Sequence, residues 1–343
     1  MSMTTVFIAS PLEAEHVARI RAVDPALHVL YAPELLPPVR YIADHKGAPF
    51  TRTAAQQRQW EEMLARAEIF WDLPAPEDIA HAARLRWIQT TSTGVGQAVA
   101  KLGLLERDIL VTTARSVHAR PLAEFVFMAL LAHWRGLRHL DAEQRAHRWE
   151  RYCNKAVAGR TLAIVGAGDL ARGCARLAKA FDMQVVAVTR DPARSREHGA
   201  LFDAVRPIGE LHAVLADADA VVVTVPHTPA TDRMIDRAAF AAMRPGIAFV
   251  NIARGQVIDE AALIEALRSG RVGFAALDVA TVEPLPASSP LWDLTNVLIS
   301  PHSASTVTSE NAGITDIFVH NLGCWLDGRI GAMRNVLDKK QMY

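Results

Sequence analysis

Residues 161–191, TLAIVGAGDLARGCARLAKAFDMQVVAVTRD, leave this chain few folds to choose from. An apolar, strand-like run leads directly into Gly166-Ala167-Gly168-Asp169-Leu170-Ala171, a G-x-G-x-x-A pattern. Leu170, Cys174, Leu177, Ala178 and Phe181 then recur at helical spacing, and VVAV reads as the next strand. The first glycine permits a tight turn, the second lets the backbone approach a pyrophosphate, and the small third residue lets helix and strand pack closely. The phosphates would sit at the helix N-terminus, where unpaired N–H groups and the dipole favour anions. A glycine triple alone is a weak signal. Its place after a strand, before a periodic helix and inside a longer alternation gives it weight.

That alternation runs along most of the chain. TTVFIAS, HVLYA, EIFWDLP, RWIQTTS and DILVTTA read as strands, separated by helix-like PLEAEHVARIRA and AAQQRQWEEMLARA. LLPPVRYIADHKGAPFTRT, with three prolines, reads as a long surface loop or arm. RPLAEFVFMALLAHWRGLRHL, apolar almost throughout, predicts one long, well-buried helix leading into the second block. Beyond the glycine loop, AVVVTV and IAFVNI are apolar at every position, which indicates a parallel sheet covered on both faces. Asp259 is placed to cap the helix that follows it, and Gly270 to end it. The C-terminal ENAGITDIFVHNLGCWLDG is helix-like, too short a tail for a domain, and is expected to pack on one of the preceding blocks.

Charge and cysteine content exclude several functions. Lys+Arg and Asp+Glu both number 37, so no electrostatic excess exists to hold nucleic acid or an anionic membrane. No apolar run approaches the ~20 residues of a membrane span, and the N-terminus lacks a signal-peptide pattern, so the cytoplasm is the expected compartment. Cys153, Cys174 and Cys324 show no CxxC spacing; they are expected to be reduced, and no metal site is expected.

Three chemistry-bearing residues follow strand-like runs: Arg254 after IAFVNIA, Glu283 after GFAALDVATV, and His302 after VLISP. In an open α/β sheet such positions share the crevice at the carboxyl ends of the strands. A histidine there can exchange a proton near neutral pH, a glutamate can hold its ring, and an arginine can grip a carboxylate bidentately.

On these residues, and on QTTSTGVG, PLAEF, VGAGDLAR, VPHTPATDRMID, NIARGQVIDEAAL, LDVATVEPLP and NVLISPH in that order, the chain resembles the D-isomer-specific 2-hydroxyacid dehydrogenases. The resemblance runs from about Gln89 to Ala304. It implies an α/β fold of two doubly wound parallel-sheet domains: a Rossmann NAD(P)-binding domain (113–302) and a flavodoxin-like substrate domain built from both chain ends (1–112 with 303–343). It implies reduction of a small 2-oxo acid, most like glyoxylate or hydroxypyruvate, with His302 as proton donor, Glu283 as its support and Arg254 on the substrate. Thr93 and Gly94 match a loop whose backbone N–H groups hold the substrate carboxylate. The implied cofactor contacts are Gly166, Gly168, Asp169, Leu170, Thr189, Arg190, Val225, Pro226, Thr231, Ile252, Ala253, His302 and Asp278, the last on the nicotinamide amide. A homodimer is implied as well.

Where the family commonly has an aromatic residue and an acid, this chain has Ala280 and Thr281, so the shape of the pocket is expected to differ. His227 stands where leucine is frequent and is expected to take no part in proton transfer. Phosphoglycerate and D-lactate dehydrogenase activities stay open, the former as a short form, since at 343 residues the regulatory C-terminal domain of some phosphoglycerate enzymes is not expected. A Glu–His pair disfavours formate oxidation, which transfers no proton. From another class, a nucleotide-sensing corepressor that binds without turnover stays open too.

The cofactor is narrowed by VVAVTRDPAR. About 20 residues past the glycine loop an NAD enzyme places a carboxylate on the ribose 2′-OH. Here Thr189 takes that place and Arg190 follows it, a pair suited to a 2′-phosphate, so NADP(H) is expected over NAD(H). Asp191, one step further, would reverse this if the strand ended a residue later.

Overall fold

Twelve strands pair in parallel within two sheets in the computed structural model, which describes residues 3–193 and 201–340. The chain divides into two units, Met1–His118 with Thr306–Tyr343, and Ala119–Ser305. These divisions fall slightly beyond residues 112 and 302: Thr113 and His118 bind Asn335 and Glu310 within the first unit, and Ser303 and Ala304 bind Asp278 within the second.

In the first unit β1 (Thr5–Ile8), β2 (His28–Leu30), β3 (Ile69–Trp71), β4 (Trp87–Gln89) and β5 (Leu110–Thr112) lie in the order β2-β1-β3-β4-β5. This is the flavodoxin-like doubly wound order. Helices α1 (Ala14–Arg21), α2 (Ala54–Arg66) and α3 (Gly96–Lys101) connect the strands. Phe7, Trp60 and Phe70 fill one side of the sheet; Ile8, Trp71 and Trp87 fill the other. Residues 36–53 form no regular element but are not a loose arm. Asp44 is buried and binds the Arg40 guanidinium at 2.7 and 2.9 Å and the backbone N–H groups of Arg40 and Gly47 at 3.0 Å, satisfying its charge locally.

The second unit contains β6 (Thr161–Val165), β7 (Gln184–Thr189), β8 (Ala204–Pro207), β9 (Ala220–Val223), β10 (Ile247–Asn251), β11 (Val272–Leu277) and β12 (Val297–Ile299). Their order is β12-β11-β10-β9-β6-β7-β8, so the winding reverses between β6 and β9, next to the glycine loop. Every residue of β9 and β10 is buried, as their unbroken apolar character requires when helices cover both faces. The long helix expected before the glycine loop is in fact two, α4 (Ala119–Trp134) and α5 (Leu137–Arg145). Gly136 adopts φ +69 between them, a left-handed turn that a helix cannot run through. Only α4 is buried; α5 has no buried residue. Then come α6 (Asp169–Ala180), α7 (Leu211–Asp217), α8 (Arg237–Ala242) and α9 (Glu260–Arg268). Asp259 caps α9 through the N–H of Ala262 at 3.0 Å, and Gly270 follows its end at φ +73.

The last helix, α10 (Glu310–Leu326), packs Ile314, Phe318 and Leu322 into the first unit. The Phe318 ring lies 5.3 Å from that of Trp71 and 5.1 Å from that of Trp87. Beyond it, Asn335 and Leu337 run antiparallel beside β5, accepting from Thr113 at 3.0 Å and donating to Val111 at 2.8 Å.

Candidate active site

The glycine loop is a tight backbone corner. Gly166 has φ +116, and a Cβ there would lie 2.4 Å from Thr224 Oγ1, so no other residue fits. Thr224 in turn donates its hydroxyl to Val165 O at 2.9 Å, tying the ends of β6 and β9 together at the reversal of strand order. Gly168 caps α6 without a side chain, and a Cβ added to it would meet nothing within 4 Å. A bare helix N-terminus beside a turn only glycine can make fits a dinucleotide pyrophosphate. Asp169 in the first turn of α6 pairs with Arg172, and Leu170 is half-buried behind it. Thr189 is the last residue of β7; Arg190 and Asp191 lie beyond it and are exposed.

The loops after β9 and β10 are braced internally. Thr231 is buried and donates its hydroxyl to Pro226 O at 2.7 Å while accepting from the Thr228 N–H at 2.8 Å, which fixes the turn carrying Val225 and Pro226. His227 Nε2 lies 2.8 Å from Asp232 Oδ1. Asn251, fully buried at the end of β10, accepts from the Ala253 N–H at 3.0 Å and donates to Arg254 O at 3.1 Å, shaping the turn through buried Ile252 and Ala253 that presents Arg254. Burial pulls the Arg254 guanidinium below its ordinary pKa, with Glu283 and Asp278 acting the other way; an arginine remains charged regardless.

Next to it, the residues after β11 and β12 bring a histidine and a carboxylate together. His302 Nδ1 lies 2.8 Å from Glu283 Oε2, and both side chains are about two-fifths exposed. Glu283 Oε1 accepts from the Ala280 N–H at 3.1 Å, so both carboxylate oxygens are used and the ring is held. With Nδ1 on the carboxylate, Nε2 is the ring nitrogen left to exchange a proton with a ligand. His302 itself has φ +55, a left-handed conformation. Buried Asp278 maintains it: its carbonyl accepts from the His302 N–H at 2.8 Å, and its Oδ1 accepts from Ser300 Oγ at 2.6 Å and from the N–H groups of Ser303 and Ala304 at 3.0 and 2.9 Å. The loop that carries Ala280 and Thr281 is fixed through its backbone. A Cβ on Gly255 would lie 2.0 Å from Ala280 C and O, so this loop runs hard against the Arg254 turn. Thr281 is clamped there by Glu260 Oε2 at 3.0 Å and Gln256 Nε2 at 2.9 Å.

In the first unit, Thr93 and Gly94 follow β4 on a loop held by Thr90 Oγ1 donating to Ser92 O at 2.7 Å and by the Ala114 N–H donating to the same oxygen at 3.1 Å. Thr93 Oγ1 lies 3.1 Å from His118 Nδ1, and His118 Nε2 lies 3.1 Å from Glu310 Oε1. His45 Nε2 stands 3.6 Å from the same carboxylate oxygen. Burial pushes the Glu310 carboxyl up, but its two histidine neighbours outweigh that and hold it at about 2. Burial likewise opposes a charge on His45, yet Glu310, Asp72 and Glu13 raise its pKa overall. Asn251, Ser300 and the His118–Glu310 pair escape the sequence, since each acts through a partner fixed only by the fold. Among the described residues no group of three or more His, Cys, Asp or Glu side chains is placed to hold a metal ion, and no helix is long and apolar enough to cross a membrane.

Known proteins resemble this chain in sequence and in fold. The sequence profile of the D-isomer specific 2-hydroxyacid dehydrogenase NAD-binding domain matches residues 127–304. The chain is 32% identical over 276 residues to a D-3-phosphoglycerate dehydrogenase of Mycobacterium leprae, a match covering 79% of this chain and 50% of that one. It is 33% identical over 261 residues to a glyoxylate reductase of Thermococcus gammatolerans, covering 73% of this chain and 76% of the other. It superposes with a TM-score of 0.76, at 27% identity and over 100% of both chains, on a D-isomer specific 2-hydroxyacid dehydrogenase of Xanthobacter autotrophicus Py2 crystallised with NADPH and MES. The chain spans about half the length of the phosphoglycerate dehydrogenases it matches. With a matching profile across the second unit and a full-length structural likeness, the chain belongs to the D-isomer-specific 2-hydroxyacid dehydrogenase family.

Proposed function

We propose that the protein is an NAD(P)-dependent dehydrogenase that reduces a small 2-oxo acid of the glyoxylate or hydroxypyruvate type to the corresponding D-2-hydroxy acid. The observation that carries this is the 2.8 Å His302–Glu283 pair beside Arg254, on consecutive strand ends of a sheet that bears a glycine loop. When bound, the nicotinamide supplies the hydride. His302 delivers a proton from Nε2 to the carbonyl oxygen; Glu283 holds the ring through Nδ1 and stabilises its charge. Arg254 binds the carboxylate and polarises the carbonyl, and the N–H groups of Thr93 and Gly94 bind the carboxylate. Gly166, Gly168, Asp169 and Leu170 would hold the pyrophosphate region, Asp278 the nicotinamide amide, and Val225, Pro226, Thr231, Ile252 and Ala253 would make further cofactor contacts.

NADP(H) is the favoured cofactor in this reading. The end of β7 at Thr189 supports it, because Arg190 is then the next side chain and Asp191 stands one step further off. So does the NADPH bound to the Xanthobacter relative. A homodimer is part of the proposal, supported by the exposed apolar side chains Leu137, Leu140, Trp149 and Tyr152 on and after α5. Three free cysteines, with Cys153 exposed, suit the reducing cytoplasm.

The test follows the absorbance of NADPH and NADH with glyoxylate, hydroxypyruvate, pyruvate, phenylpyruvate and 3-phosphohydroxypyruvate. Turnover is expected with NADPH and the smaller acids. Best turnover with the phosphorylated acid would reassign the substrate in line with the Mycobacterium relative. Nucleotide binding without turnover on any acid would replace the enzyme by a nucleotide-sensing binding protein.

A further inference from the structure

The hydrogen bonds beneath the Thr93–Gly94 loop have a direction that the chemistry of their partners fixes. Glu310 is ionised and a carboxylate only accepts, so the proton between it and His118 belongs to Nε2 of the imidazole. That leaves Nδ1, 3.1 Å from Thr93 Oγ1, with two possible states. In neutral His118, Nδ1 is a lone pair and the Thr93 hydroxyl must donate into it, turning its own lone pairs outward. In protonated His118, Nδ1–H donates to Thr93 Oγ1, and the hydroxyl hydrogen is released to donate elsewhere. A carboxylate arriving at the loop meets an acceptor in the first state and a donor in the second.

We propose that His118 is a positioning residue whose protonation aims the Thr93 hydroxyl at the substrate carboxylate, so that substrate uptake on this loop draws a proton from solvent onto His118 Nδ1. The inference rests on the assignment of the Thr93–Gly94 loop to the substrate carboxylate. One proton enters at Nδ1, the Nδ1···Oγ1 hydrogen bond reverses, and no covalent bond other than N–H is made. The buried setting makes the switch effective. Glu310, at the first turn of α10, is 6% exposed and anchors the far side of the ring, so the imidazole cannot turn away to satisfy Nδ1 otherwise. The titratable groups that face this cluster include Glu310 from α10 and His45 from the 36–53 segment, with Asp72 after β3 and Glu13 before α1 acting on His45. Glu310 Oε2 is buried with no hydrogen-bond partner, so a positive charge gained by His118 meets unspent acceptor capacity on this carboxylate.

The test uses oxamate, a 2-oxo acid analogue, titrated calorimetrically into the NADPH-loaded protein in two buffers of different ionisation heat. His302→Asn serves as background, which removes the imidazole proposed to exchange a proton with the substrate. Uptake of up to one proton per oxamate is expected. Thr93→Val, which keeps the shape and loses the hydroxyl, should abolish the uptake and weaken oxamate about tenfold; Thr93→Ser should restore both. Equal uptake in the valine variant, equal affinity of the valine and serine variants, or no binding of oxamate overturns the inference. Imidazole 15N spectra of the protein without oxamate give an independent reading: neutral His118 should be the Nε2–H tautomer, and an Nδ1–H tautomer overturns the inference as well. Turnover on the 2-oxo acid panel is recorded on the wild-type protein. Its absence with proton uptake intact would remove the proposed reaction and leave the switch standing, whereas turnover without uptake would do the reverse.

Discussion

The left-handed backbone of His302 separates two ways of losing the imidazole. Asparagine tolerates φ near +55, whereas alanine there carries a cost of about 1 kcal/mol. His302→Asn is therefore expected to melt within about 2 °C of wild type and to lose roughly 10²- to 10⁴-fold in kcat. Retained turnover would remove His302 from the chemistry. Asp278→Ala attacks the same residue from behind, deleting the acceptor that three donors share. A kcat lower by about 10²-fold is expected, because the histidine is present but misaimed; an unchanged kcat would show that the turn holds without it. Arg254, Glu283 and His302 were legible in the sequence because each sits just past an apolar run, in a short motif of its own. The part played by Asp278 was not. Its donors lie 22 to 26 positions away on a different strand's loop, and nothing in LDV announces them.

Among the elements, the parallel strands were the most readable and the breaks between helices the least. An unbroken apolar run such as AVVVTV has one comfortable place, the middle of a covered parallel sheet. A single glycine in a helical pattern is ambiguous, and Gly136 proved to be a left-handed turn instead of a tolerated interior residue. Gly255 is the element-level weak point of the candidate site. Gly255→Ala must push the 280–283 loop away, and the carboxylate of Glu283 moves with it. The variant is expected to lose about 3 kcal/mol of stability and most of its turnover, read by thermal melting and by the NADPH assay. Wild-type activity in a fully folded Gly255→Ala protein would show that the loop's position is not critical.

For the whole molecule, acid lability is expected to come from both units. Burial, aided by Lys155, Arg138 and Arg160, lowers His133 to about 4 from the ordinary 6.5; its ring stacks on Phe274 at 4.7 Å. Between those values the unfolded chain binds a proton that the native one refuses, so stability falls as pH drops through that window. Glu310 acts lower: its contribution is complete above 4.5 and is lost as pH falls towards about 2. Melting temperatures recorded down to pH 3 should fall in wild type and fall less steeply over the lower window in Glu310→Gln; parallel curves would show that the buried cluster does not govern acid unfolding. The interleaving of the two units has a consequence in time as well as in space. The second unit is one continuous stretch, Ala119–Ser305, and can close its core on the ribosome while the chain is still growing. The first unit cannot, since the face of its sheet that carries Trp71 and Trp87 waits for Phe318. A chain ending at Ser305 is expected to carry a protease-resistant second unit and a sticky, aggregation-prone first one, so the earliest-made strands of this protein are the last to find shelter.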